Sequence, residues 1–393
     1  MVGTGGEQIG RNICTIVGAL VRIGMRLTTR HALIRAVAAL TPVVNIGPTV
    51  SPVHAAAVLP SVEVPLSLCG GAYCLGYSIE GQRFRAIVDT GSPFLLADGT
   101  CTARTGSPEL LQGRWGCYRG EAREAAGLSD SELSFAGQNV LVQWRRGAFA
   151  LETTEASPPL RVANATFGVV RGSQRTSGSA DEAIFLGLVK ERGPRLGRYP
   201  TLLEQTSVAS MRFNFLMRRM LLSAAPLIDA QSDAVRILDL RPPPCRAPDL
   251  KYACKVSRLL INGRAVPNDA PVVAIIDTGT TGLTISQELY DSTPQLYAER
   301  VAAVRIELPT EQGGICALEA SVRRRRSAAT GIPSVDVDLA APEFDEFPLV
   351  VSPVPIRWGS GKRGTPYVLF VGLAFLWQRQ LTIDVDARRL TVE

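Results

Sequence analysis

Histidine is nearly missing from this chain. Of 393 residues only two are histidine, His31 and His54, and both lie in the first 57. A Ser-His-Asp or Cys-His nucleophile needs an imidazole beside it, so loss of that leading stretch would leave the rest of the chain without either mechanism. The eight cysteines include no Cys-x-x-Cys pair. With so little histidine, this excludes the spacing of a structural zinc site, and no metal or other cofactor is expected. No glycine-lysine loop of the phosphate-cradling kind occurs. No apolar run reaches the ~18 uninterrupted residues of a transmembrane helix. Arg22, Arg26, Arg30 and Arg35 interrupt the N-terminal candidates, and no transmembrane anchor is expected.

Acidic residues are scarce at the N-terminus. Residues 1–55 hold five arginines against Glu7 alone, a net +4, with no Asp and no Lys. Only +2 of the formal +6 is left for the remainder (6 minus 4), which gives no argument for a nucleic-acid partner. The stretch ends in Val53-His54-Ala55, an acceptable signal-peptidase site, so residues 1–57 read as a targeting leader outside the fold. The pattern fits a bipartite plastid signal ending in a thylakoid-type lumen. A secretory signal peptide is the close alternative, and a mitochondrial presequence the third.

The bulk of the chain is globular: 46% of residues are apolar and 20% charged. The 36 glycines and 26 prolines fit a turn-rich, mainly β protein. Two stretches organise it. Residues 86–92 read Ala-Ile-Val-Asp-Thr-Gly-Ser, and residues 274–280 read Ala-Ile-Ile-Asp-Thr-Gly-Thr. Each is a buried-strand run broken by a tight turn, which puts Asp89 and Asp277 at strand ends. Near-identical copies 188 residues apart (277 minus 89) point to a duplicated half-chain whose aspartates meet. Two carboxylates about 3 Å apart cannot both ionise and share one proton. The ionised one takes a proton from water while the protonated one hydrogen-bonds a carbonyl oxygen, which is a route to amide hydrolysis without metal or covalent intermediate.

The surrounding residues extend the pattern. Ala-Ile-Phe-Leu-Gly-Leu at 183–188 and Leu-Phe-Val-Gly-Leu at 369–373 supply an apolar-apolar-Gly strand after each aspartate, and residues 381–392 read as a closing hairpin. From about residue 58 onward the chain resembles the pepsin-like aspartic proteases. The resemblance implies an all-β, bilobal fold of two barrel-like lobes, 58–222 and 223–393, working as a monomer on an extended polypeptide substrate. It implies catalysis by Asp89 and Asp277. Thr90, Gly91 and Ser92, and equally Thr278, Gly279 and Thr280, orient the two carboxyls. The substrate-covering hairpin of the family fits best at 143–149, with Trp144 in the tyrosine position and Gly147 in the turn, where Arg145 and Arg146 would favour acidic substrates. A catalytically silent pepsin-like peptide binder or inhibitor is the alternative.

Three further features stand apart. The close pairs Cys69/Cys74, Cys101/Cys117 and Cys245/Cys254 are candidate disulfides with Cys316 left over, a usage suited to an oxidising compartment. Asn164-Ala165-Thr166 is a glycosylation sequon. The four arginines at 323–326 read as an exposed loop, with a processing or anionic docking site as the alternative.

Overall fold

A computed structural model describes residues 61–69, 71–99, 115–135, 138–174, 184–193, 199–243, 245–296, 301–322, 347–354 and 365–393. The leader 1–57, Cys101 and the arginine run 323–326 lie outside the described residues. The chain is mostly β-sheet. Among the described residues the helical content is one α-helical turn, Gln287–Asp291, and a few short 3₁₀ turns.

Local sequence accounts for the strands. Leu75 to Ile79 of the strand Tyr73–Ile79 and the first half of Gln82–Asp89 alternate between buried and more exposed positions, as a strand with one face to solvent does. The second half of Gln82–Asp89 and all of Val272–Ile276 are buried on both faces, so they read as unbroken apolar runs. Glu80-Gly81 and Asn262-Gly263 turn with φ of 50°, 78°, 51° and 78°. Paired positive φ values are what two-residue hairpins of this hand require.

Among the described residues the strands form three sheets. In a nine-stranded sheet, Gln82–Asp89 lies between Tyr73–Ile79 (antiparallel) and Phe185–Gly187 (parallel), with Gly187 opposite Asp89. An eleven-stranded sheet contains Val272–Ile276 between Ala253–Val256 (antiparallel) and Tyr367–Val371 (parallel). The two aspartates therefore end strands of the same local pattern. The large sheet also joins distant parts of the chain: Val62–Pro65 pairs with Arg219–Ser223, and Ser210–Asn214 pairs with Gln380–Asp384 of the C-terminal hairpin. A four-stranded sheet carries Arg258–Ile261 and Ala303–Pro309. All three are open paths rather than closed barrels. One continuous apolar core runs from Val62 to Leu390, so the two halves of the sequence share an interior.

Two expectations are corrected here. The stretch 143–149 does not turn. It lies inside a single 14-residue strand, Gln138–Leu151, whose hairpin partner is Ser131–Phe135, with Phe135 opposite Gln138. Cys245 and Cys254 are free thiols. Successive residues of Ala253–Val256 point to opposite faces, so Ala253 joins Cys245 in a smaller apolar cluster while Cys254 faces the main core. Cys254 instead lies near Cys316. Cys69 and Cys74 do form a disulfide, and Cys117 is disulfide-bonded.

Candidate active site

Asp89 and Asp277 come together, buried to 2% and 0% exposure, so that a single Cβ placed on Gly279 would crowd both carboxyls. Each is gripped by its own turn. Gly91 N–H donates to Asp89 Oδ1 at 2.7 Å and Gly279 N–H to Asp277 Oδ1 at 2.9 Å. Thr280 Oγ1 donates to Asp277 Oδ2 at 2.9 Å. Ser92, the matching residue, lies close enough to favour ionised Asp89, but its buried Oγ has no hydrogen-bond partner at ordinary geometry. The pair is thus nearly but not fully symmetric.

The glycines make the approach possible. A Cβ on Gly91 would fall 2.6 Å from Asp277 Cγ, and one on Gly279 would fall 2.7 Å from Asp89 Cγ. Thr90 and Thr278 hydrogen-bond across the two loops. Behind the first loop, Leu188 N–H donates to Asp89 C=O at 2.8 Å and Gly187 N–H to Phe94 C=O at 2.9 Å. Behind the second, Asp277 N–H donates to Val371 C=O at 3.0 Å and Leu373 N–H to Thr280 C=O at 2.9 Å. The apolar-Gly strands seen in the sequence are these supports.

Burial, and next the charge of Asp277, hold the Asp89 carboxyl far above the usual aspartate range, outweighing the Ser92 and Gly91 contacts that favour ionisation. Among the described residues no group of His, Cys, Asp and Glu is arranged to hold a metal ion.

Trp144 does not sit at a hairpin tip. It is buried mid-strand, donates Nε1–H to Ser131 Oγ at 2.9 Å, and stacks on Tyr199 with ring centres 4.6 Å apart. Its edge meets Phe94 at 5.0 Å, two residues past Ser92, so it supports the first loop from behind. Gly147 is also mid-strand, opposite Ala165, and the next residue, Ala148, donates N–H to Glu80 Oε1 at 2.7 Å. Arg145 pairs with Glu124 at 3.1 Å.

Sequence reasoning missed the segment 249–252. Lys251 Nζ donates to Gly91 C=O at 2.5 Å, and Tyr252 Oη donates to Leu188 C=O at 2.6 Å. One signal was present: lysine occurs only at 190, 251, 255 and 362 among 42 basic residues, so Lys251 ahead of a buried strand was out of keeping with a chain that otherwise uses arginine.

The chain matches no protein-family model, and no curated protein matches it significantly.

Proposed function

We propose that this chain is an aspartic endopeptidase of the pepsin-like kind, with its two lobes at 58–222 and 223–393 and one catalytic loop from each. The observation that carries the reading is the pair of buried carboxyls brought together at the two glycine turns, each held by a glycine N–H, on loops joined by threonines bonded across them. Such a pair holds one proton over a wide pH range, because ionising the second carboxyl beside the first is unfavourable.

The chemistry follows from that single proton. A water between the carboxyls loses a proton to the ionised one as its oxygen attacks the scissile carbonyl carbon. The protonated carboxyl donates to the carbonyl oxygen, giving a neutral tetrahedral diol. Protonation of the amide nitrogen then breaks the C–N bond, releasing an amine and a carboxylic acid, and the pair returns to one shared proton. The fixed N–H groups of Gly91 and Gly279 keep both carboxyls aimed throughout, so little reorganisation is needed at the moment of reaction. The substrate is an extended polypeptide lying across the two carboxyls.

The test is hydrolysis of a denatured protein by the full chain from about pH 3 to 7, with and without pepstatin, beside Asp89→Asn. Acid activity abolished by both inhibitor and substitution supports the reading. A folded protein that cleaves nothing, before or after acid incubation, rejects it.

A further inference from the structure

Lys251 and Asp249 form an ion pair sealed from water. Nζ lies 3.0 Å from Oδ1 and 3.1 Å from Oδ2, and the side chains are 2% and 0% exposed. Taking both charges out of water is costly, and apolar residues of similar size usually hold a fold as well or better. Stability alone therefore does not explain the pair.

Its placement does. Lys251 Nζ donates to the carbonyl of Gly91, the residue whose N–H holds Asp89 Oδ1. Tyr252 Oη donates to Leu188 C=O, and Leu188 N–H in turn holds Asp89 C=O. Tyr252 C=O accepts from Ile276 N–H at 3.0 Å, one residue before Asp277. Four consecutive residues, 249–252, thus reach both loops. The other charges acting on Asp249 are Asp89 and Arg241. Arg241 is itself bound by Asp239 at 2.6 Å and Glu191 at 2.8 Å.

We propose that Lys251, anchored by Asp249, is a positioning residue of the aspartate pair: by binding the Gly91 carbonyl it fixes the residue whose N–H aims Asp89, and it brings its positive charge to that loop. This rests on the aspartic-dyad reading above. A nearby cation favours the ionised forms of the pair, so losing it moves both limbs of the pH profile upward. Losing Asp249 leaves the cation uncompensated and moves both limbs downward. A merely structural contact gives neither shift.

The experiment measures kcat and KM for a fluorogenic peptide against pH, using the full chain as wild type, Lys251→Met, Asp249→Asn and the double variant, each checked for folding by circular dichroism. Lys251→Met is expected to lose about tenfold or more in kcat with KM within about threefold, and to raise both limbs by about one pH unit. Asp249→Asn lowers them. The double variant leaves no buried charge unpaired, so if Lys251→Met does not fold the double variant is compared with Asp249→Asn, against which loss of the lysine should raise both limbs. Folded single variants with unmoved limbs, or both shifted the same way, overturn the proposal, as does a double variant whose limbs match those of Asp249→Asn. If the wild type shows no pepstatin-sensitive hydrolysis, the protease reading fails separately. The inference is then read from the pH dependence of the unfolding midpoint, in the component that Asp89→Asn removes. Opposite displacements in the two single variants support it, and none overturns it.

Discussion

Thr90 and Thr278 hydrogen-bond each other across the site from positions 188 apart: Thr90 N–H donates to Thr278 Oγ1 at 3.1 Å, and Thr278 N–H donates to Thr90 Oγ1 at 3.0 Å. Each hydroxyl then donates to the carbonyl before the opposite aspartate, Ile276 at 2.8 Å and Val88 at 2.7 Å. Both threonines are fully buried, so water cannot replace a lost partner. Thr278→Val keeps the shape but strands the Val88 carbonyl and the Thr90 N–H, and is expected to destabilise by about 2–4 kcal/mol. Thr278→Ser retains the hydroxyl and most of the stability. Chemical denaturation of the three proteins measures this, and equal midpoints would contradict it.

Gly91→Ala is expected to abolish activity while leaving the fold largely intact. Its Cβ would lie 2.6 Å from Asp277 Cγ, so the loops must part. A displacement of about 1 Å at such a pair costs on the order of 10² in rate. The check is kcat/KM beside the circular dichroism spectrum; a folded variant with wild-type kcat/KM would refute the close approach.

The pH dependence of stability follows from Asp89. Its folded carboxyl binds a proton more tightly than the unfolded one, whose ordinary value is 3.8. The folded state therefore holds the extra proton, and the associated stability is fully present below the unfolded value and is lost as pH rises from there through the raised folded value. Asp89→Asn removes this component. The variant's unfolding midpoint should fall less steeply than the wild type's as pH rises from about 4 toward neutrality. Parallel curves would show that Asp89 titrates normally.

Trp144 separates a supporting role from a substrate-facing one. Trp144→Phe deletes the bond to Ser131 and should cost about 1 kcal/mol, with KM for a peptide substrate essentially unchanged. Trp144→Ala should cost about 3–5 kcal/mol through the cavity left between Phe94 and Tyr199. A large KM change in Trp144→Phe at unchanged stability would instead place the indole against substrate.

Much of the fold was legible because it is locally encoded. The Asn262-Gly263 and Glu80-Gly81 turns, the buried runs ahead of Asp89 and Asp277, and the C-terminal hairpin Gln380–Asp384 with Arg389–Val392 all follow from turn chemistry and apolar periodicity. The hairpin near the site was misplaced because Gln143 to Phe149 carries a glycine and two arginines that imitate a turn. Strand pairing on both sides, Arg123–Glu124 with Arg145 and Arg146 on one and Arg161–Gln174 on the other, overrides that local signal. The Cys245/Cys254 pairing failed for a related reason: closeness in sequence does not say which face of a strand a thiol occupies.

By itself the sequence determined that two Asp-Thr-Gly turns end two buried strands, because strand runs and tight turns depend on residues within a few positions of each other. The duplication already pointed to the two turns meeting; the exact threonine bonds between them, the place of Trp144 behind the loop rather than over it, and the reach of Lys251 to Gly91 from 160 residues away came from tertiary packing. These depend on strand register, where a one-residue slip reverses every side chain, and on closing loops of more than a hundred residues, whose entropy is repaid only when the whole core assembles.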